Sequence, residues 1–482
     1  MSSGPSTGQK SAGHQSQVEL WLVCPICKQP NPSGTLHCKY CWGASLYSVK
    51  PITTAQLTEF TEKHVKQVRR WRRARTLAIA IGAPLLLVAV AFLWVYSFTD
   101  IVFAPPAHLN SAPVLGDWTM FRHDLSRTGA DQVNGVNPQG KLKWSFETGS
   151  EVHSSPTVVN GTVYFGSRDY NLYALDAETG QKKWSFKAGS WVESSPTVVN
   201  GVVYFGSNDG KMYAVDASTG QKIWEFQTPY ALKSSPAVAG NMVYFGSDDY
   251  YVYALDVRTG QKVWEFATEG HVMSSPVVAN GIVYIGSQDM ACYAINAESG
   301  RFRLKMKTYE VLSSPAVSGT TVYFTSRNYL FAMDGEARNW PGEEDLRPWW
   351  LQFYAFRLAP PPPPRSGVLW GLSIASRASN TTPVVDEDSL YTTGDSKILK
   401  VGLIQKKVTW SFKTGATVNS SPALANGVIY VGSDDGRLYA INAEDGSQLW
   451  NYRTAGQIDS SPTYANGVVY VTSWDGKIYA IE

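Results

Sequence analysis

Ser154-Ser155-Pro156-Thr157-Val158-Val159-Asn160-Gly161 opens a unit that returns seven more times along the chain. Its proline falls at Pro156, Pro196, Pro236, Pro276, Pro315, Pro383, Pro422 and Pro462, at intervals of 40, 40, 40, 39, 68, 39 and 40 residues. Only the sixth copy spells the phrase differently, as Thr381-Thr382-Pro383. A period near 40 residues, filled with short β-branched and aromatic runs between turn signals, marks a repeat architecture.

Working outward through the first copy, Ser155–Val159 reads as a short apolar strand. Asn160-Gly161 reads as a hairpin turn, because both residues tolerate positive φ. Thr162–Ser167 is a second strand, Leu172–Asp176 a third and Lys183–Phe186 a fourth, with turns at Arg168–Tyr170 and Ala177–Gly180. Four short antiparallel strands per repeat predict a propeller blade, and eight copies predict eight blades. The last copy stops at Tyr479-Ala-Ile-Glu482, after its third strand. The fourth that it lacks matches Lys143–Glu147, which precedes the first copy, so the N-terminal strand is expected to close the ring and remove an open edge.

The connection from third to fourth strand, Ala174-Leu-Asp176-Ala-Glu-Thr179-Gly180-Gln-Lys-Lys-Trp184, recurs at 214–224, 254–264 and, with variation, 440–450. It resembles the tryptophan-docking repeat of the quinoprotein (PQQ-type) β-propeller family. Trp118-Thr-Met-Phe121 with Asp124, Thr128 and Gly129 is similar to the start of that family's domains. The resemblance covers residues 117–482 and implies an all-β, eight-bladed propeller in which each Trp packs between neighbouring blades. Three copies depart from it. Leu304 stands where the fourth copy should have Trp, the fifth is interrupted after Asp334, and the sixth lacks the Asp and the Thr-Gly. The propeller is also similar to that of the outer-membrane assembly lipoprotein family, which implies scaffolding of protein partners without a cofactor.

Residues 1–20, rich in Ser, Gly and Gln, predict a disordered tail. In residues 21–48, Cys24-Pro-Ile-Cys27 and Cys38-Lys-Tyr-Cys41 form two Cys-x2-Cys pairs, the spacing of a tetrahedral thiolate cage for Zn²⁺. Two disulfides are the alternative, and His37 reads as structural. The stretch resembles the short zinc-ribbon family. Residues 51–75 carry Lys63, Lys66, Arg69, Arg70, Arg72, Arg73 and Arg75. Residues 76–98 carry no charge and, as a helix, are long enough to span a bilayer. The positive flank predicts a cytoplasmic N-terminus and an extracytoplasmic propeller, in a bacterial-type cytoplasmic membrane. The same basic run could serve nucleic acid, but its place beside the span favours orientation, and no nucleic-acid partner is expected. Residues 99–116, with Pro105, Pro106 and Pro113, predict a tether.

A net charge of +2 makes no bulk case for a polyanionic partner. The propeller's single cysteine, Cys292, allows no internal disulfide, and it aligns with apolar third-strand residues. No Cys-x-x-Cys-His, Gly-x-Ser-x-Gly or phosphate-loop motif occurs. Catalytic residues are therefore not expected and PQQ is disfavoured. Dehydrogenase or sensor chemistry is kept as a second reading, and a receptor reporting inward to the zinc ribbon as a third.

Comparing the copies column by column separates two faces. The Asn-Gly and Thr-Gly turns are nearly identical between copies. Positions before the repeated phrase and in the turn after the second strand vary. Variation on one rim of a repeat protein predicts a recognition surface for a protein partner, against exposed-loop drift as the plain alternative. The candidate rim comprises His153, Arg168, Trp191, Glu193, Asn208, Tyr230, Lys233, Asp248, Tyr250, Arg327, Asp434, Asp459 and Trp474. An insertion at residues 335–367 adds Trp340, Trp349, Trp350, Phe353, Tyr354, Phe356 and a five-proline run, Pro360–Pro364. It reads as a docking surface, a lid, a membrane contact or a loop packed on its own blade.

Overall fold

The Ser-Ser-Pro phrase is where the blades are joined. In the computed structural model, which describes residues 19–41, 45–98, 130–131, 137–308, 313–340, 342–376 and 381–482, the backbone N–H of Ser155 donates to Ser195 Oγ at 3.0 Å. Ser195 donates likewise to Ser235, and Ser235 to Ser275, each at 3.0 Å. Ser461 donates back to Ser155 Oγ at 2.8 Å. The second serine thus links neighbouring blades, while the first at Ser194, Ser234 and Ser420 pins its own, accepting from the backbone of Gly206, Gly246 and Gly432 at 3.0–3.1 Å; Ser154 Oγ instead donates to Ser194 O at 3.1 Å. This use of Ser155 corrects the expected strand start. The strand begins at Thr157, because the amide before it is committed to the next blade.

Eight blades follow, one of them carrying a fifth strand. Blade 1 consists of Thr157–Val159, Thr162–Gly166, Asn171–Asp176 and Lys182–Lys187. Asn160 and Gly161 take φ of 49° and 67°, as the tight hairpin requires. A bulge between Ala174 and Leu175 interrupts the pairing of the outer two strands opposite Trp184 and returns at the same place in every blade. Bulges re-aim side chains, and here the indole is aimed at the next blade. Trp184 Nε1 donates to Ala217 O at 3.0 Å, Trp224 to Val257 O at 2.9 Å and Trp264 to Ala297 O at 2.8 Å. In the fourth copy Leu304 is buried in the place of Trp, and the neighbouring Arg303 Nη2 donates to Glu336 O at 2.8 Å instead.

The ring closes as expected. Leu142–Glu147 pairs with Lys477–Ile481, in the register Lys477↔Glu147 to Ile481↔Leu142. Trp450 of blade 7 donates to Pro138 O at 2.7 Å and lies against Gly140. Asn137-Pro138-Gln139-Gly140 is therefore the degenerate turn of blade 8. Ala130–Asp131 pairs in parallel with Ala423–Ala425, adding a fifth strand to blade 7 that the sequence did not announce. Trp118–Phe121, Asp124, Thr128, Gly129 and the tether at 99–116 lie outside the described residues.

The chain divides into two compact units, Met1–Leu93 and Trp94–Glu482. In the first, Leu20–Val23 pairs with Pro30–Pro32 and Ile52–Thr53. Leu20 pairs with Thr53, so the pairing in this unit runs from 20 to 53. Helix α1, Thr54–Phe98, runs unbroken from the basic stretch through the apolar one, with Pro84 inside. Among the described residues, the apolar side chains of its later part, from Leu77 to Leu93, are exposed, Leu85 at 63% and Leu87 at 70%. By length and composition it is a candidate to cross a membrane.

A thiolate cluster and a networked rim

The four cysteines converge. Cys24 Sγ lies 3.7 Å from Cys41 Sγ, and Cys27 Sγ lies 3.4 Å from Cys38 Sγ. All four sulfur atoms fall within 4.8 Å of one another. A disulfide needs about 2.05 Å. Tetrahedral zinc, at about 2.3 Å to each sulfur, sets sulfurs about 3.8 Å apart. The donor set therefore fits a tetrahedral metal and not a pair of disulfides. Asn31, fully buried, supports it: its Nδ2 donates to Cys38 Sγ at 3.5 Å, and its Oδ1 accepts from Lys39 N at 2.9 Å. Burial pushes the Cys38 thiol up, but the amides of Tyr40 and Cys41 and the Asn31 side chain outweigh it and bring it to about 6. Such outer partners fix a ligand and stabilise its thiolate. His37 bridges Ser45 by its backbone and is not in the cluster.

On the propeller, the two faces separate as the copies suggested. Ala177 N donates to Gly161 O and Ala217 N to Gly201 O, so the invariant turns share one edge. On the other, Arg168 N donates to Glu151 O, Asn208 N to Trp191 O and Trp474 N to Gln457 O, which joins each variable turn to the segment before its own copy's phrase. The repeated aspartates are spent inside the blades. Asp169 accepts from the Tyr173 hydroxyl at 2.6 Å, Asp209 from Tyr213 at 2.7 Å, Asp249 from Tyr253 at 2.8 Å and Asp475 from Tyr479 at 2.7 Å. Burial, then the facing carboxylate, pushes those tyrosines up. Cys292 is buried, and burial pushes its thiol up to about 12.

The structure ties part of the candidate rim into one chain of contacts across blades 8, 1 and 2. His153 Nδ1 sits 2.7 Å from Asp459 Oδ2, and its Nε2 sits 3.2 Å from Glu151 Oε2. Arg168 bridges Glu151 and Glu193 at 2.7 and 2.6 Å and lies 4.7 Å from the Trp191 ring centroid. Asn208 Nδ2 donates to Glu193 at 3.0 Å, and the Trp474 ring centroid is 4.7 Å from that of His153. Burial pulls the His153 imidazolium down, but the hydrogen bond and charge of Asp459, with Glu151, leave it raised. Elsewhere on the rim Lys233 pairs with Asp248 at 3.4 Å, and Tyr250 meets His271 edge-on at 4.7 Å. Asp434 accepts from Asn419 at 3.0 Å, and its carboxyl is raised by burial, then by Asp459 and Asp435. Trp191, Tyr230, Tyr250 and Trp474 are exposed. Arg327 is on blade 5, in a turn at φ 52°. Glu151 and His271 were missed, although each occupies the column that gave Trp191, three residues before its Ser-Ser pair.

A family model described as outer membrane protein assembly factor BamB matches residues 129–339 and 405–482, more than half of the chain. The chain belongs to this family. Between the two matched stretches, residues 340–404 hold most of the insertion and most of the degenerate blade 6. No curated protein sequence matches. BamB from Moraxella catarrhalis is similar in structure, with a TM-score of 0.56 at 17% identity over 71% of this chain and 97% of that one. The quinohemoprotein alcohol dehydrogenase of Comamonas testosteroni gives 0.60 at 16% over 77% and 81%. The computationally designed Ika8 protein gives 0.59 at 15% over 72% and 99%. An assembly factor, an oxidoreductase and a designed protein share the architecture, so these likenesses speak of fold and not of chemistry.

Proposed function

We propose that the chain is a membrane-anchored, non-catalytic scaffold of the cell envelope that holds a protein partner on the variable rim of its propeller. The carrying observation is the contrast between the two kinds of polar residue. Repeated Asp–Tyr pairs are consumed in building blades. The unrepeated network of Glu151, His153, Arg168, Glu193 and Asp459 is spread over three blades beside exposed Trp191 and Trp474. Trp and Arg are the side chains that most often anchor interfaces. The family description, an assembly factor for outer membrane proteins, is in keeping with holding proteins rather than turning over a substrate.

In this reading residues 76–98 of α1 span the cytoplasmic membrane, the basic run stays inside and the propeller is outside. The cytoplasmic Cys24, Cys27, Cys38 and Cys41 hold a structural Zn²⁺, and the reducing compartment keeps them thiolates. A tricarboxylate quinone would meet the carboxylates of Glu151, Glu193 and Asp459 on this part of the rim, and the cations beside them, Arg168 and His153, are already paired with those carboxylates.

The test is a photo-crosslinking residue at position 230 of the full chain in its native envelope. Arg168→Ala, Trp191→Ala and Trp474→Ala together are expected to abolish capture while the propeller still folds and melts cooperatively. Capture that persists would refute the rim. Titration of PQQ, with and without Ca²⁺, addresses the quinoprotein reading, and saturable one-to-one binding would install it in place of the scaffold.

A further inference from the structure

The insertion carries a helix whose side chains are mostly exposed. Helix α2, Glu343–Ala355, leaves blade 5 after the third strand, Tyr329–Asp334, and the chain returns through Pro360–Pro364 to the fourth, Val368–Ser373. The base is clamped by one buried carboxylate. Glu343 accepts from Asn339 Nδ2 at 2.8 Å and from Ser366 N at 2.9 Å, while Arg365 Nη1 donates to Lys307 O at 2.8 Å. The proline return braces the helix, with Trp350 Nε1 donating to Pro360 O at 2.9 Å and Arg347 Nη1 to Pro363 O at 2.6 Å. A polyproline segment is stiff, so the pair forms a rigid projection.

What it projects is apolar. Leu346, Trp349, Phe353 and Phe356 recur at helical spacing, and they are 54%, 62%, 50% and 74% exposed. Residues 346–367 carry three arginines and no acid; the acids Glu343, Glu344 and Asp345 lie at the base, where Glu343 is buried and Glu344 pairs with Lys307 at 3.3 Å. The connection from third to fourth strand lies on the edge of the invariant turns, opposite the rim. The chain also supplies an occupant. Only 38 residues separate Phe98, the end of α1, from Asn137. Even fully extended they reach about 130 Å, so a bilayer crossed by α1 is always within range of the propeller. Trp and Phe favour the bilayer interface, and Arg favours anionic headgroups.

We infer that α2 and its proline return form a foot that lays the Leu346–Trp349–Phe353–Phe356 stripe on an anionic lipid surface, turning the rim away from the membrane. The inference rests on the proposed span of α1, and the experiment reads the two separately. The full chain is reconstituted in phosphatidylcholine vesicles containing phosphatidylglycerol and a trace of acyl-chain diazirine phospholipid, irradiated, and its labelled peptides mapped. Label is expected in α1 and in the peptide spanning Trp349–Phe356. Trp349→Ser, Phe353→Ser and Phe356→Ser together should lower the second label several-fold, with α1 labelling and the propeller's melting unchanged. Label in α1 alone overturns the foot and leaves the span standing. Label in neither overturns both. A chemical crosslink between two copies of α2, without lipid label, assigns the stripe to a second chain and also overturns the foot. Undiminished label in phosphatidylcholine alone overturns the role of the arginines.

Discussion

Replacing Gly180 by alanine attacks the seam that closes the ring. Gly180 sits in the turn of blade 1 at φ +70°, beneath Trp144 of the closing strand. A β-carbon there would lie 2.6 Å from Trp144 Cδ2 and 2.7 Å from Cε3. Two costs add. The left-handed backbone costs a residue other than glycine about 1–2 kcal/mol. Pushing the indole out of a packed site costs about 1–3 kcal/mol more. The sum, about 2–5 kcal/mol, has an internal control. Gly161 has nearly the same φ, +67°, and nothing within 4 Å of a built β-carbon, so Gly161→Ala should cost only the first term. Removing the ring should also remove the second term, so Gly180→Ala in a Trp144→Ala background should cost about 1–2 kcal/mol. The assay is urea unfolding of the full chain followed by tryptophan fluorescence, with all four variants compared at one temperature. Equal costs for Gly180→Ala and Gly161→Ala, or no relief in the double variant, would refute the claim that tryptophan docking holds the blades together.

Three further outcomes are expected. Chelation of zinc, or Cys38→Ser, should unfold the domain around Leu20–Thr53, because structural zinc contributes about 10–16 kcal/mol to such folds; elemental analysis should count one zinc per chain, and hydrogen exchange should rise there and not in the propeller. His153 has a raised folded pKa, so its pairing with Asp459 and Glu151 contributes stability in full below the unfolded value of about 6.5 and loses it as pH rises through the folded pKa; the melting difference between wild type and His153→Gln should therefore be largest near pH 5–6.5 and shrink toward alkaline pH, and a pH-independent difference would contradict the ion pair. Glu343→Ala strands the Ser366 amide and the Asn339 side chain at a cost of about 1–3 kcal/mol, which hydrogen exchange should register within 344–366 while the blade strands stay protected.

Most of the propeller was legible because each blade repeats the same physical solution. Ser-Ser-Pro joins blades, Asn-Gly turns the first hairpin, and Asp-x-x-Thr-Gly seats a tryptophan, so one solved copy reads the others. Legibility failed where a copy kept the geometry and changed the residues. Asn137–Gly140 seats Trp450 without the aspartate or threonine of the motif. Arg303 supplies from a neighbouring position the donor that Leu304 cannot. Ala130–Asp131 joins blade 7 over two residues, too short a pairing to show a strand pattern in the sequence. Helix α2 was hidden by Pro348 within it and the proline run behind it, although the spacing of Leu346, Trp349, Phe353 and Phe356 already had helical period. On the rim, column comparison found residues that vary but not which of them touch. Glu151, at the centre of the network, became visible only when Arg168 and His153 were seen to share its carboxylate.

The closing strand also fixes an order of events. Leu142–Glu147 is made before any blade, yet its partner, Lys477–Ile481, leaves the ribosome about 340 residues later. At about 5–20 residues per second, the first strand waits roughly 17–70 s with its hydrogen-bonding edge bare. A nascent chain halted anywhere within that interval can fold its early blades but cannot seal them. Ring closure therefore waits on the synthesis of Lys477–Ile481, however early the first blades fold.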